Sequence, residues 1–150
     1  MSAEARVAQL GLALPPLGEP KGLYRPLVIV GNLAYTSGHL PLQPDGSVQT
    51  GRVGADLDEH AGYEAARRTG LAILATLRAG LGSLDRVRRV VRIVGFVNCT
   101  PEFQKLPAVI NGCSELLAEV FGRDRGVGVR TAVGASSLPL GAPVEIDAVF

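Results

Sequence analysis

Residues 130–148 include Arg130-Thr131-Ala132-Val133, then Leu138-Pro139-Leu140-Gly141, then Val144-Glu145-Ile146-Asp147-Ala148. Two apolar, strand-like runs flank a Pro/Gly turn. Read as an antiparallel pair, they bring Arg130 and Glu145 to the same end of a sheet. A guanidinium holds a carboxylate ligand in a bidentate fork. A neighbouring carboxylate orients a water or moves a proton. Together they are the minimum equipment for binding or hydrolysing a small carboxylated molecule.

Gly126 and Gly128 lead into these strands. Upstream, Thr100-Pro101-Glu102 combines a hydroxyl cap, a first-turn proline and an acid near the positive helix end. It predicts a helix running to about Phe121 and stopped by Gly122. The β-branched run from Val87 to Val97, with Arg88, Arg89 and Arg92 interspersed, predicts a strand. Over 58–80, Ala61, Ala65, Leu71, Leu74 and Leu77 recur at helical period, with Asp56 and Asp58 near the start and Gly80 and Gly82 at the end. Gly62 and Gly70 inside this helix suggest close packing on a sheet. Leu27-Val28-Ile29-Val30, the Gly31-Asn32 turn and Leu33-Ala34-Tyr35-Thr36-Ser37 form a hairpin pattern. Residues 2–12 carry a short helical pattern with Ser2 as cap, broken by Pro15-Pro16, Gly18 and Pro20.

The order hairpin, helix, strand, helix, strand, strand predicts one α+β domain over residues 1–150. Its core is a single mixed sheet with two helices packed on one face. Residues 1–20 form an N-terminal extension with the short helix. The second sheet face needs a cover, and in so small a chain a second copy supplies it.

Bulk properties narrow the function. The 150 residues suffice for one core, and 47% are hydrophobic. Net charge is +1, which gives no general electrostatic case for nucleic acid. No apolar run approaches the ~18 residues of a membrane span, and no signal pattern opens the chain, so the expected location is cytoplasmic. Cys99 and Cys113 lie in apolar surroundings and are expected to be reduced thiols. His39 and His60 are isolated and no CxxC occurs, so no metal site is expected.

From about residue 20 onward the chain resembles the RidA (YjgF-like) family, as a divergent branch. The likeness is carried by Gly22-Leu23-Tyr24, by Gly31-Asn32-Leu33-Ala34-Tyr35-Thr36-Ser37-Gly38-His39-Leu40-Pro41, by Val129-Arg130-Thr131-Ala132-Val133, and by Leu138-Pro139 with Val144-Glu145-Ile146-Asp147-Ala148. The resemblance implies a chorismate-mutase-like fold and a homotrimer with ligand clefts between subunits. It implies hydrolysis of enamines and imines such as 2-aminoacrylate to a 2-keto acid and ammonia, without metal or organic cofactor. It puts the carboxylate-binding guanidinium on Arg130 and the water-orienting carboxylate on Glu145. It further implies substrate contacts from Tyr24, Ser37, Gly38 and Asn111. The alternative is a non-catalytic trimer that binds 2-keto acids.

Three departures mark the branch. Ala132 stands two after the arginine, where cysteine is common. His39 follows Ser37-Gly38, where glutamine is common. Phe103 and Asn111 lie about one turn further apart than usual. Bland readings compete: an Arg130–Glu145 salt bridge, Tyr24 as packing before Pro26, Ser37-Gly38 as turn chemistry, and Asn111 as a solvent-facing helix residue.

Overall fold

The computed structural model describes residues 1–150. The chain runs α1 (Ala3–Gln9), β1 (Leu27–Val30), β2 (Leu33–Thr36), α2 (Glu59–Leu81), β3 (Arg92–Asn98), α3 (Leu106–Phe121), the short α4 (Arg123–Gly126), β4 (Val129–Ala135) and β5 (Val144–Val149). The five strands form one mixed sheet in the order β1-β2-β5-β3-β4. Helices α2 and α3 cover one face of it.

Local chemistry explains most boundaries. Ser2 caps α1 by accepting from the Ala5 N–H. Asp58 does the same for α2 through the Ala61 N–H, and Gly82 ends that helix in the left-handed region at φ 85°. Helix α1 is pinned by Glu4, which pairs with Arg78 at 2.7 Å and accepts from the Leu84 N–H at 2.9 Å.

The helix pair packs through glycine, on helix rather than on sheet. A Cβ on Gly62 would meet the Val109 side chain, and one on Gly70 would lie 2.8 Å from Leu116 Cδ2. A Cβ on Gly112 would fall 2.0 Å from the Tyr63 carbonyl oxygen. Without side chains at these positions, α2 and α3 approach closely enough to seal Val109, Ile110, Cys113, Leu116 and Leu117 inside the core.

Three expectations need correction. The helix forecast from Thr100 begins at Leu106 instead. The Thr100 N–H is held by the Val53 carbonyl at 3.0 Å, and Phe103 N–H closes a turn onto Thr100. The helix-starting proline is therefore Pro107. The strand forecast from Val87 begins at Arg92, because Leu84–Arg86 forms a 3-10 turn and Val90 N–H bonds to the Arg125 carbonyl. Most consequentially, β4 and β5 are not neighbours. Strand β3 lies between them, parallel to β4 and antiparallel to β5.

Register decides which side chains share a face. Ile93, Gly95 and Val97 of β3 face the helices, together with Val144, Ile146 and Ala148 of β5 and with Arg130, Ala132 and Gly134 of β4. The opposite face presents Val28 and Val30, Tyr35, Arg92, Val94 and Phe96, Val129 and Val133, and Glu145 and Asp147. No element of the chain covers it. Val30 and Val129 are more than 60% exposed there, and such an apolar sheet face is the mark of an association surface.

Candidate functional site

Arg130 and Glu145 point to opposite faces of the sheet. Arg130 pairs with Ile93, and Glu145 pairs with Phe96. Three residues along the strands and two strand spacings across separate them by about 14 Å. The expected meeting of the two charges at one sheet end does not occur within one chain, and neither does a salt bridge between them. The chain's ion pairs are Arg67–Glu119 and Arg78–Glu4.

Each charge gathers its own neighbours. On edge strand β4, the exposed Arg130 turns toward α3. Its Nη1 donates to Asn111 Oδ1 at 2.6 Å and to Ser114 Oγ at 3.2 Å. Asn111 is therefore a partner of the arginine rather than an idle surface residue. Ser114 escaped the sequence reading, although its spacing of three from Asn111 puts both on one helical face. Two bonds to neutral oxygens fix the guanidinium without neutralising it. The remaining donors stay available to an anion.

The second group lies around Glu145. Gly38 rests flush against this carboxylate, since a Cβ there would lie 2.9 Å from Glu145 Cδ and Oε2. A side chain at position 38 would displace the carboxylate from this place. Ser37 is fixed by its N–H on the Pro26 carbonyl at 3.0 Å and by its hydroxyl, which donates to the Arg25 carbonyl. These bonds bring the Tyr24–Pro26 segment alongside Ser37. Tyr24 itself is half exposed, so its ring is not simply core packing. The six sequence-derived site residues thus divide into Arg130 with Asn111, and Glu145 with Gly38 and its neighbour Ser37, while Tyr24 lies next to the segment that Ser37 holds.

Burial pushes the Glu145 carboxyl above the ordinary glutamate range, and the Asp147 charge adds to the rise. A carboxyl raised toward neutrality serves better in proton transfer. The same shift is a stability statement. A folded pKa above the unfolded one favours the protonated form, so this contribution is present at low pH and lost as pH rises through the folded pKa. Glu145→Gln is therefore expected to raise Tm at pH 7, with the gain vanishing once the pH falls below the unfolded glutamate value of about 4. Scanning calorimetry across that range checks the sign. A lower Tm for Glu145→Gln at pH 7 would contradict it.

The thiols stand apart from this chemistry. Cys113 is fully buried, which pushes its thiol up to about 12 and leaves it inert. Cys99 is buried as well. No helix is long and apolar enough to cross a membrane.

A five-stranded mixed sheet with two glycine-packed helices on one face is the chorismate-mutase-like α+β class. The chain belongs to the RidA/YjgF family of that class: the family described as "YjgF/chorismate_mutase-like, putative endoribonuclease" matches residues 4–144. Protein TCP17 of Trypanosoma cruzi is 41% identical over 145 residues, covering 97% of this chain and 91% of TCP17. The Agrobacterium tumefaciens protein Atu1372, of unknown function, is 44% identical with a TM-score of 0.88, over 98% of this chain and 89% of that one. A Shewanella oneidensis protein named as a putative endoribonuclease is 31% identical with a TM-score of 0.94, over 99% and 98% of the two chains.

Proposed function

We propose that this chain hydrolyses reactive enamines and imines of the 2-aminoacrylate type to 2-keto acids and ammonia, in clefts between subunits of a homotrimer. The observation that carries this reading is the un-neutralised Arg130 guanidinium, steered by Asn111 and Ser114 but facing no carboxylate of its own chain. An arginine so fixed is an anchor awaiting an acid. The exposed apolar sheet face and the separation of Arg130 from Glu145 both favour completion of the site by a second copy.

The chemistry asks little of the protein. Arg130 of one subunit binds the substrate carboxylate. Across the cleft, Glu145 of its neighbour takes a proton from water. The water oxygen bonds to the imine carbon, the C=N π pair moves to nitrogen, and Glu145 delivers the proton it took to that nitrogen, giving a carbinolamine. The carbinolamine then collapses: Glu145 takes the hydroxyl proton, the C–O bond becomes C=O as the C–N bond breaks, and Glu145 passes that proton to the departing nitrogen, which leaves a 2-keto acid and ammonia. Neither role needs a thiol, so Ala132 is compatible with the route.

The family description includes endoribonuclease, and this site is a poor match to that chemistry. The net charge is +1. The two histidines do not converge: the half-buried His39 bonds to Thr76, while His60 stacks on Tyr63 at 6.4 Å on α2.

The test is 2-keto acid release from enzymatically generated 2-aminoacrylate, with semicarbazide as competing trap. Faster release with the protein supports the hydrolase. If neither 2-aminoacrylate nor its four-carbon homologue is accelerated, the hydrolytic reading fails. Calorimetric binding of 2-keto acids would then establish a binding trimer instead.

A further inference from the structure

His39 sits where the family resemblance implies glutamine, and the reaction above gives it no role. Its surroundings define one. Nδ1 lies 2.7 Å from the Ser37 carbonyl oxygen, and Nε2 lies 2.8 Å from Thr76 Oγ1. A carbonyl only accepts, so Nδ1 carries the proton. In the neutral ring Nε2 then accepts the Thr76 hydroxyl proton. The backbone around it is equally committed: His39 N–H donates to the Ile146 carbonyl at 2.8 Å, and Ile146 N–H returns to the His39 carbonyl at 3.0 Å. Ile146 is the residue after Glu145.

Thr76 has been diverted to this purpose. A buried threonine inside a helix ordinarily bonds back to the carbonyl four residues earlier, as Thr69 does to Ala65 at 2.9 Å. Thr76 is 4% exposed, and its hydroxyl goes to the imidazole instead. Every other bond that holds the Ser37–Gly38 turn runs to sheet or loop backbone. The imidazole alone ties it to α2.

We infer that His39 is a positioning residue: its ring clamps the Ser37–Gly38 turn to Thr76 of α2 and so fixes the glycine wall against which the Glu145 carboxylate is oriented. The inference rests on the hydrolytic reading of that carboxylate. Burial lowers the His39 pKa, which keeps the ring neutral near pH 7, and the Ser37 bond opposes this only in part. No other charge faces the ring. Thr76 meets it from α2, whose Arg78 turns away to Glu4, and Ile146 meets it from β5. Glu145 and Asp147 lie on the other sheet face, and Thr36 of β2 accepts the Ala148 N–H through its hydroxyl oxygen.

The experiment compares wild type with His39→Ala, His39→Gln and Thr76→Val in the 2-aminoacrylate assay. His39→Ala and Thr76→Val are expected to lower kcat roughly tenfold, with KM within about twofold because the Arg130 anchor is untouched. His39→Gln restores an acceptor for Thr76 and should keep kcat within about threefold of wild type. A merely structural histidine would lower Tm in all three variants and leave the kcat of the folded enzyme alone. That result would overturn the inference, as would an Nε2–H tautomer in nitrogen-15 NMR. If the wild type shows no turnover, the hydrolytic reading has failed. The clamp is then read from the Glu145 carboxyl by carbon-13 NMR: His39→Ala or, should it not fold, Thr76→Val must move its titration toward the ordinary glutamate value. An unmoved titration would sink the clamp by itself.

Discussion

Arg130→Ala is expected to cut 2-keto acid release severely while leaving the fold intact. Arg130 is exposed on an edge strand, and its internal bonds go to two neutral side chains on α3. Losing them costs about 1 kcal/mol of stability, because water replaces the donor on both oxygens. The functional loss is far larger. A charged, bidentate hydrogen bond to a sequestered carboxylate is worth roughly 2–5 kcal/mol when one partner is truncated, or roughly 30- to 4,000-fold in kcat/KM. Arg130→Lys should recover little of this. An ammonium supplies the charge but not the planar fork, and it cannot hold Asn111, Ser114 and a ligand in one plane. Parallel kinetics and circular dichroism on the two variants give the check. Turnover by folded Arg130→Ala within threefold of wild type would remove the anchor from the mechanism.

Such a site was only half legible in the chain. Local signals gave what local physics determines: the Gly31-Asn32 hairpin, the capping Asp58, and the terminating Gly82 and Gly122. Strand order is a different kind of fact. Nothing in the Pro139–Gly141 turn shows that β3 will slip between the strands it joins, because that outcome depends on non-local pairing and on two helices reaching one sheet face. The same holds for facing. An Arg-X-Ala alternation places Arg130 and Ala132 together, yet only the parallel register with Ile93 and Gly95 turns them toward α3. The Thr100-Pro101 signal misled because Thr100 is tied through its N–H to the Val53 carbonyl and the segment after it closes only one turn, from the Phe103 N–H to the Thr100 carbonyl, which does not propagate into the helix. Gly62 and Gly70 marked close approach correctly but not the partner, which a single helix pattern does not name. Ser114 had a readable signal in its spacing from Asn111, and its meaning required knowing that Arg130 lay beneath both.

The division of the site makes the strongest test available. If each cleft takes Arg130 from one subunit and Glu145 from the next, two inactive variants must rescue one another. Arg130→Ala and Glu145→Gln, each alone, leave every cleft with one defective half. Mixed after reversible dissociation, or co-expressed with separate tags, they form rings in which some clefts receive both intact residues. A given cleft is restored when its arginine side comes from a Glu145→Gln subunit and its glutamate side from an Arg130→Ala subunit. With equal, random mixing that is about one cleft in four, so activity should rise from near background to about a quarter of wild type in a closed heterologous ring. The geometry within one chain leaves no second route to this result. The two side chains lie on opposite sheet faces about 14 Å apart, and no motion short of unfolding β3 brings them together. Absence of recovery in mixed assemblies of verified composition would mean that the residues do not act in one cleft. Recovery would assign the two halves of the site to different subunits in a single measurement.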